Sequence, residues 1–166
     1  MNETPRGNRL HITLFGRRNA GKSSLINALT GQETALVSSV PGTTTDPVWK
    51  AMELIPLGPV VFIDTAGLDD EGELGSLRVQ RSLAVLARTD LALLVADAAA
   101  PWSEWEERLR AELQRRKIPY LIVWTKADRS AVTPPRIPCA RNIDVSAMTG
   151  QGIDALREAI VETAPA

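Results

Sequence analysis

Short apolar runs alternate along the chain with stretches of helical periodicity. Four runs have no polar face, a pattern typical of strands buried on both sides of a parallel sheet. They span residues 10–15, 60–64, 91–97 and 120–124. Residues 48–54 alternate between apolar and polar positions more clearly, which predicts an antiparallel edge strand paired with residues 60–64.

Between these runs, apolar residues recur at helical spacing in four segments. The segments are residues 22–30, 77–88, 103–117 and 153–163. Gly31 is expected to end the first helix, and Ser103 with Glu106 has the spacing of a capping box at the start of the third. Strands that alternate with helices predict an α/β domain with three layers, in which a mostly parallel six-stranded sheet with one antiparallel edge strand lies between helices.

Composition limits the classes of function open to the chain. With 166 residues, a single domain over 1–166 is expected. The 19 basic and 20 acidic residues give a net charge of -1, so no overall charge favours nucleic acid or an anionic membrane. The hydrophilic start lacks a signal peptide, and no apolar run is long enough for a membrane span, which predicts a cytoplasmic protein. The single cysteine, Cys139, cannot hold an iron–sulfur cluster alone.

The segment "EWEERLRAELQRRK" raises the question of a nucleic-acid face. Its acidic and basic residues lie four apart in Glu104–Arg108, Glu106–Arg110 and Glu112–Arg116. That spacing favours a solvated helix surface that pairs its own charges.

The clearest chemical motif is "GRRNAGKSS", which lies between a predicted strand and a predicted helix. Gly16 and Gly21 are five residues apart and are followed by Lys22 and Ser23, the spacing of a phosphate-binding loop. The backbone N–H groups of residues 20–24, including Ala20 and Ser24, would face the phosphates. Lys22 would neutralise the β- and γ-phosphate oxygens, and Ser23 would be a ligand of Mg²⁺.

Two further motifs belong to the same chemistry. "DTAG" ends the predicted strand at residues 60–64, which places Asp64 near the metal and Gly67 near the γ-phosphate. "PGTTTD" has three consecutive hydroxyls, of which Thr44 is expected to complete the Mg²⁺ ligands when a γ-phosphate is present. Such a loop changes order with the nucleotide state. Lys22, Thr44 and Gly67 are therefore the predicted catalytic residues.

The choice of base is predicted from "TKAD" at the end of another strand. The two oxygens of Asp128 can accept hydrogen bonds from the paired donors of guanine, and adenine offers no matching pair. Lys126 can lay its stem along the base. "SAMTG" follows a further short strand and, through Ser146 and Ala147, would supply a backbone N–H to the guanine oxygen. An ATP-using kinase or ATPase is disfavoured because it would leave Asp128 unpaired.

Taken in order, these motifs resemble those of translation-factor-class P-loop GTPases. Within that class, "GRRNAGKSS" and "PGTTTD" are similar to motifs of the potassium-dependent GTPases of the TrmE, Era and EngA type, which act in tRNA modification and ribosome assembly. The segments "VPGTTTDPVWKAMELIPLGPVVFIDTAGLDDEGELG" and "TDLALLVAD" more specifically resemble the GTPase domain of the FeFe-hydrogenase maturation factor HydF.

This resemblance implies a P-loop NTPase fold and slow, Mg²⁺-dependent hydrolysis of GTP to GDP and phosphate, stimulated by K⁺. It implies that Asn19 coordinates K⁺ beside the phosphates, helped by oxygens of Ser38, Val40 and Thr43. The alternative is that Asn19 does not bind K⁺ and only caps its own loop through the loop backbone. The domain would be the switch of a hydrogenase-maturation scaffold that dimerises and meets other maturases or the hydrogenase. The alternative is an RNA-associated GTPase, which the balanced charge disfavours.

The sequence departs from the resembling family at two site positions and in extent. Thr125 stands where the family has an Asn that contacts the base edge and ties its motif to the phosphate loop, so weaker nucleotide binding is expected. Leu68 stands where many related GTPases have a Gln that positions water. Glu71 and Glu73 are candidates for that role, but a solvated loop is the favoured interpretation for both. The dimerisation and iron–sulfur domains of the full-length maturation factor have no counterpart in residues 1–166.

Overall fold

A computed structural model describes residues 10–16, 20–31, 48–54, 58–65, 85–100, 102–129, 134–138 and 140–165. The strands are β1 (Leu10–Phe15), β2 (Val48–Leu54), β3 (Gly58–Asp64), β4 (Leu91–Asp97), β5 (Tyr120–Thr125) and β6 (Arg141–Asp144). The helices are α1 (Lys22–Thr30), α2 (Glu104–Arg115) and α3 (Ile153–Thr163). Within these ranges, no helix combines the length and the apolar character that crossing a membrane requires.

The six strands form one sheet in the order β2-β3-β1-β4-β5-β6. Every neighbouring pair is parallel except β2 and β3, which are antiparallel. The prediction of a mostly parallel six-stranded sheet with one antiparallel edge strand is therefore confirmed. Parallel strands bring their carboxyl ends to a common edge, so the segments that follow β1, β3, β5 and β6 all leave the sheet on the same side.

Among the described residues, the buried side chains form two clusters, one on each face of the sheet. On β4, Leu91, Leu93 and Val95 belong to the cluster that includes buried residues of α1 and α3. The alternate residues Ala92, Leu94 and Ala96 belong to the cluster that includes Leu113 of α2. Because successive side chains of a strand point to opposite faces, helices cover both sides of the sheet in three layers.

Some element boundaries differ from those that the sequence predicted. β3 begins two residues earlier than expected, at Gly58, and β5 continues to Thr125. α2 is shorter than the segment 103–117, because Ser103 is its N-cap and Arg116 its C-cap. Of the helix predicted over residues 77–88, the structure describes residues 85–88, of which 85 and 86 are helical.

One predicted ion pair on α2 is wrong. Arg110 pairs with Glu107, at 2.9 Å between Nη2 and Oε1, and not with Glu106. Glu106 is 1% exposed and turns back to the helix start, where its Oε1 accepts a hydrogen bond from the backbone N–H of Ser103 at 2.8 Å. Capping satisfies a backbone donor that the helix leaves unpaired, and it removes Glu106 from the surface.

Candidate nucleotide-binding site

The two glycines of the "GRRNAGKSS" segment meet different structural demands. A Cβ at Gly16 would lie 2.6 Å from the carbonyl oxygen of Val95, so the chain can leave β1 this close to β4 only without a side chain. Gly21 has φ +97°, a backbone conformation that is strained for residues with a side chain. The loop thus turns directly into α1, whose N-terminal N–H groups have no partners within the helix.

At the start of α1, Lys22 contacts the beginning of the loop and Ser23 contacts Asp64. Lys22 is 6% exposed, and its Nζ donates a hydrogen bond to the carbonyl oxygen of Gly16 at 2.5 Å across the loop. Ser23 is exposed, and its Oγ donates to Oδ2 of the buried Asp64 at 3.0 Å. A solvent-facing hydroxyl backed by a carboxylate is an oxygen donor set that suits Mg²⁺.

Sequence reasoning missed Thr65, which follows Asp64 directly. Its Oγ1 donates to the carbonyl oxygen of Leu14 at 2.8 Å, and the residue is 1% exposed. This bond ties the end of β3 to the end of β1 and so holds Asp64 beside Ser23. The only signal in the sequence is a hydroxyl residue after a strand-ending aspartate, which does not identify the partner.

Thr125, which stands where the resembling family has an Asn, connects β5 to the phosphate-binding loop. Its Oγ1 lies 2.5 Å from the carbonyl oxygen of Ala20 and 3.2 Å from that of Ala96, and the residue is 4% exposed. Thr125 thus contacts the phosphate-binding loop as the family's Asn is expected to do, and the weaker nucleotide binding expected from this replacement stays a prediction. The shorter side chain reaches the loop because β5 ends directly behind it.

Lys126 is held in an unusual conformation above the loop. Its backbone has φ +59°, and its Cε lies 3.8 Å from the position a Cβ would take on Gly21. Its Nζ is 3.2 Å from Oδ2 of Asp97, whose Oδ1 accepts from the backbone N–H of Ala99 at 2.8 Å. Asp97 was missed as a site residue, because the sequence does not reveal that the end of β4 lies beside Thr125.

The two predicted base-binding segments are joined by backbone hydrogen bonds. The N–H of Ala127 donates to the carbonyl oxygen of Val145 at 3.0 Å, and the N–H of Val145 donates to that of Trp124 at 2.8 Å. Ser146 is fully buried, and its Oγ accepts from the backbone N–H of Thr149 at 3.1 Å. Its hydroxyl therefore shapes the turn.

A cleft of about 640 Å³ lies between α1 and these segments. Its lining residues include Gly21, Ser24, Asn27 and Ala28 on the α1 side and Thr125, Lys126, Asp128, Ser146, Ala147 and Met148 opposite. Asp128 is exposed, so its carboxylate is accessible to a ligand. The cleft reaches from the start of α1 to the predicted base-binding residues, and its volume is in the range that holds a small ligand.

Several predicted site residues lie outside the described part of the chain. These are Asn19, Ser38, Val40, Thr43, Thr44 and Gly67, together with Leu68, Glu71, Glu73 and Cys139. Their roles stay predictions. Within the ranges that the structure describes, no three His, Cys, Asp or Glu side chains form a group that could hold a metal ion.

Residues 11–126 match the family model described as "50S ribosome-binding GTPase". The chain is 40% identical over 161 residues to the "tRNA modification GTPase MnmE" of Chloroflexus aurantiacus, covering 94% of this chain and 35% of that protein. It is 37% identical over 124 residues to the "GTPase Der" of Sulfurimonas denitrificans, covering 73% of this chain and 25% of that protein. The chain thus spans about a third of the length of the MnmE relatives it matches.

Solved structures confirm the P-loop GTPase fold. Era of Aquifex aeolicus bound to GDP·AlF4⁻ superposes with a TM-score of 0.75 at 24% identity, covering 94% of this chain and 57% of that one. The cytosolic domain of the FeoB iron transporter of T. maritima in a GDP form has a TM-score of 0.70 at 26% identity, covering 93% and 63%. The hydrogenase-maturation assignment finds no support among these relatives.

Proposed function

The chain belongs to the family of 50S ribosome-binding GTPases and is a GTPase domain, and we propose that it is the switch of a protein acting on RNA, in tRNA modification or ribosome assembly. The observation that carries this proposal is the similarity to MnmE, at 40% identity over 94% of the chain. The balanced charge led us to expect no nucleic-acid partner, and the relatives do not support that expectation. The proposed setting is the cytoplasm.

The proposed GTP site uses both walls of the cleft. The N–H groups of residues 20–24 and the Lys22 ammonium face the phosphates, since the helix N-terminus and the lysine both attract anions. Asp128 accepts from the guanine donors, and Ser146 and Ala147 present the backbone beside the guanine oxygen. Two connections favour this assignment: Thr125 joins the base-binding segment to the loop, and Ser23 lies 3.0 Å from Asp64.

Ser23 and Thr44 are the proposed Mg²⁺ ligands, with Asp64 hydrogen-bonded behind Ser23. Mg²⁺ held by these residues would neutralise phosphate charge and so favour phosphoryl transfer. Lys22 would stabilise the same oxygens, and the backbone at Gly67 would contact the γ-phosphate. We further propose that K⁺ binds Asn19 with oxygens of Ser38, Val40 and Thr43, as the sequence resemblance implies.

A second candidate function is maturation of FeFe-hydrogenase. The observation that favours it is the segment "PLGPVVFIDTAGLDDEGELG", which resembles the GTPase domain of that maturation factor. In this case the protein would form a homodimer and meet other maturases or the hydrogenase. Any iron–sulfur cluster would need cysteines besides Cys139, the single one in the chain.

One deletion strain distinguishes the two candidates. The gene is removed from its own genome, and three quantities are measured: tRNA nucleosides by mass spectrometry, ribosomal subunits by sedimentation, and hydrogenase activity. We expect altered tRNA nucleosides or immature subunits, restored by the wild-type gene and not by a Lys22→Ala variant. Normal tRNA and ribosomes with lost hydrogenase activity would overturn the RNA proposal and select the second candidate.

A further inference from the structure

We propose that Arg157 on α3 is a positioning residue that fixes the distance between the two walls of the nucleotide cleft. Its Nη2 donates hydrogen bonds to the carbonyl oxygens of Ala28 at 3.2 Å and Leu29 at 3.0 Å. Both carbonyls lie in the last turn of α1, where no further helical N–H group can pair with them. The guanidinium therefore joins the end of α1 to α3.

The two helices that Arg157 joins hold opposite ends of the proposed ligand. α1 begins with Lys22 and Ser23 at the phosphate end, and its residue Ala28 lines the cleft. α3 follows the turn that starts at Ser146, in which the N–H of Gly150 donates to the carbonyl oxygen of Ser146 at 2.9 Å. Ile153, the first residue of α3, donates its N–H to the carbonyl oxygen of Gly150 at 3.3 Å and so connects the helix to this turn. A shift of α3 against α1 would therefore move the guanine contacts relative to the phosphate contacts.

Apolar packing also joins the helices, but it fixes their relative position less strictly. Leu25 and Leu29 of α1 and Leu156 and Ile160 of α3 belong to one buried cluster. Apolar attraction is non-directional, so it constrains the position of the helices along the helix axis only through the fit of the side chains. Hydrogen bonds from a planar guanidinium to two successive carbonyls have a defined geometry.

The guanidinium of Arg157 also forms an ion pair within its own helix. Nη1 of Arg157 lies 2.9 Å from Oδ1 of Asp154, one turn earlier on α3. The Asp154 side chain is 93% exposed, so this ion pair contributes little stability and mainly limits the rotamers of Arg157. The bonds to α1 are the ones that connect two elements.

If Arg157 has this role, replacing it should weaken the binding only of ligands that contact both walls of the cleft. GDP contacts both walls, so its affinity depends on their distance. Pyrophosphate contacts only the phosphate wall, and its affinity does not. A residue that merely stabilised the fold or the end of α1 would not separate the two ligands.

The test compares Arg157→Met with Arg141→Met in the full chain. Arg141 on β6 is a matched control, because its guanidinium also links α3 to another element. Its Nη1 lies 3.1 Å from Oε1 of Glu162 on α3, and this contact does not involve α1. Displacement of a fluorescent GDP analogue by GDP and by pyrophosphate gives both affinities, and steady-state assays give KM and kcat for GTP. Arg157→Met removes both hydrogen bonds to α1, and we expect GDP affinity to fall and KM to rise about fivefold, a change the size of one net hydrogen bond. Pyrophosphate affinity and kcat stay at wild-type values.

Arg157→Lys keeps a donor that can reach one carbonyl, so its GDP affinity should lie between those of the wild type and Arg157→Met. This variant carries the test if Arg157→Met does not fold, as judged by circular dichroism. Unchanged GDP affinity in a folded variant would overturn the proposal. So would an equal loss for pyrophosphate and GDP, or the same loss in Arg141→Met.

Discussion

At the residue scale, Thr125 joins the base-binding segment to the phosphate-binding loop through its hydroxyl near Ala20. Thr125→Val keeps the shape and removes the hydroxyl, so it leaves the buried carbonyl oxygen of Ala20 without this donor. We expect GDP affinity to fall by about 1 kcal/mol, close to fivefold. Titration with a fluorescent GDP analogue measures it, with Thr125→Ser as the control that keeps the hydroxyl. Equal GDP affinities of the Thr125→Val variant and the wild type would contradict this role of Thr125.

Asp128 is the side chain on which guanine selectivity depends. Its carboxylate is exposed in the cleft and can accept two hydrogen bonds from guanine, each worth about 1.5–3 kcal/mol to a charged group. Asp128→Ala should therefore weaken GDP binding by at least about 3 kcal/mol, more than 100-fold, and leave ADP binding unchanged. Competition of GDP and ADP against a labelled GDP analogue tests this. Glu104→Ala, which removes an exposed carboxylate on α2, is the control.

Asn19 is the residue at which a potassium role can be tested, although it lies outside the described residues. A cation beside the phosphates would stabilise the charge that develops during hydrolysis. We expect faster GTP hydrolysis in K⁺ than in Na⁺ at equal ionic strength, and we expect Asn19→Ala to abolish the difference with GDP binding retained. The same rate in both salts would instead favour the simple loop cap.

At the element scale, apolar periodicity predicted β1 to β5 and the three helices, because it reports burial directly. β6 has one buried residue in four, so the sequence indicated only a short strand before Ser146, without bounds. It did not predict which side chains meet. Asp97 contacts Lys126, which follows β5, and Thr65 contacts Leu14 on β1. Glu106 has two local options, an ion pair with Arg110 or the helix cap, and spacing alone does not decide between them. Such choices depend on tertiary neighbours.

The surface of α2 carries a pH-dependent ion pair that can be measured. Arg115 and Arg116 both donate hydrogen bonds to Glu112, and they lower its pKa from 4.5 to about 2. Because the folded pKa lies below the unfolded one, the unfolded chain takes up a proton first as the pH falls below 4.5. The stabilisation is therefore complete above that pH and is lost between pH 4.5 and pH 2.

Glu112→Gln should accordingly lower the free energy of unfolding by about 0.5–1 kcal/mol at pH 7, the range of a partly exposed ion pair. The difference from the wild type should narrow as the pH falls from 4.5 toward 2. Urea unfolding at pH 7 and at pH 3 measures both. Glu104→Gln is the control, since Glu104 and Arg108 are 77% and 79% exposed and their pair should contribute little. A pH-independent difference would contradict the ion pair.

At the scale of the whole molecule, the sheet explains how distant motifs form one site. The segments after β1, β3, β5 and β6 leave the same edge, and this brings Lys22, Asp64, Thr125 and Ser146 to one side of the domain. Motif order along the sequence was enough to predict this convergence. The process that the GTPase serves was not predictable in the same way, because one fold is used in many pathways and partner recognition depends on other surfaces.

The last prediction concerns the coupling of nucleotide state to the rest of the molecule. Residues 41–46 and 68–76 lie outside the described ranges, and their sequences hold few apolar residues and several Gly, Asp and Glu. Thr44 and Gly67, at or beside these segments, are the predicted contacts to Mg²⁺ and the γ-phosphate. Both segments should therefore exchange amide hydrogens more slowly with a GTP analogue and Mg²⁺ than with GDP. The amides of β4, which is buried at the centre of the sheet, provide the internal control because their exchange should be the same in both states. Equal protection of both segments in the two states would mean that the domain binds nucleotide without switching.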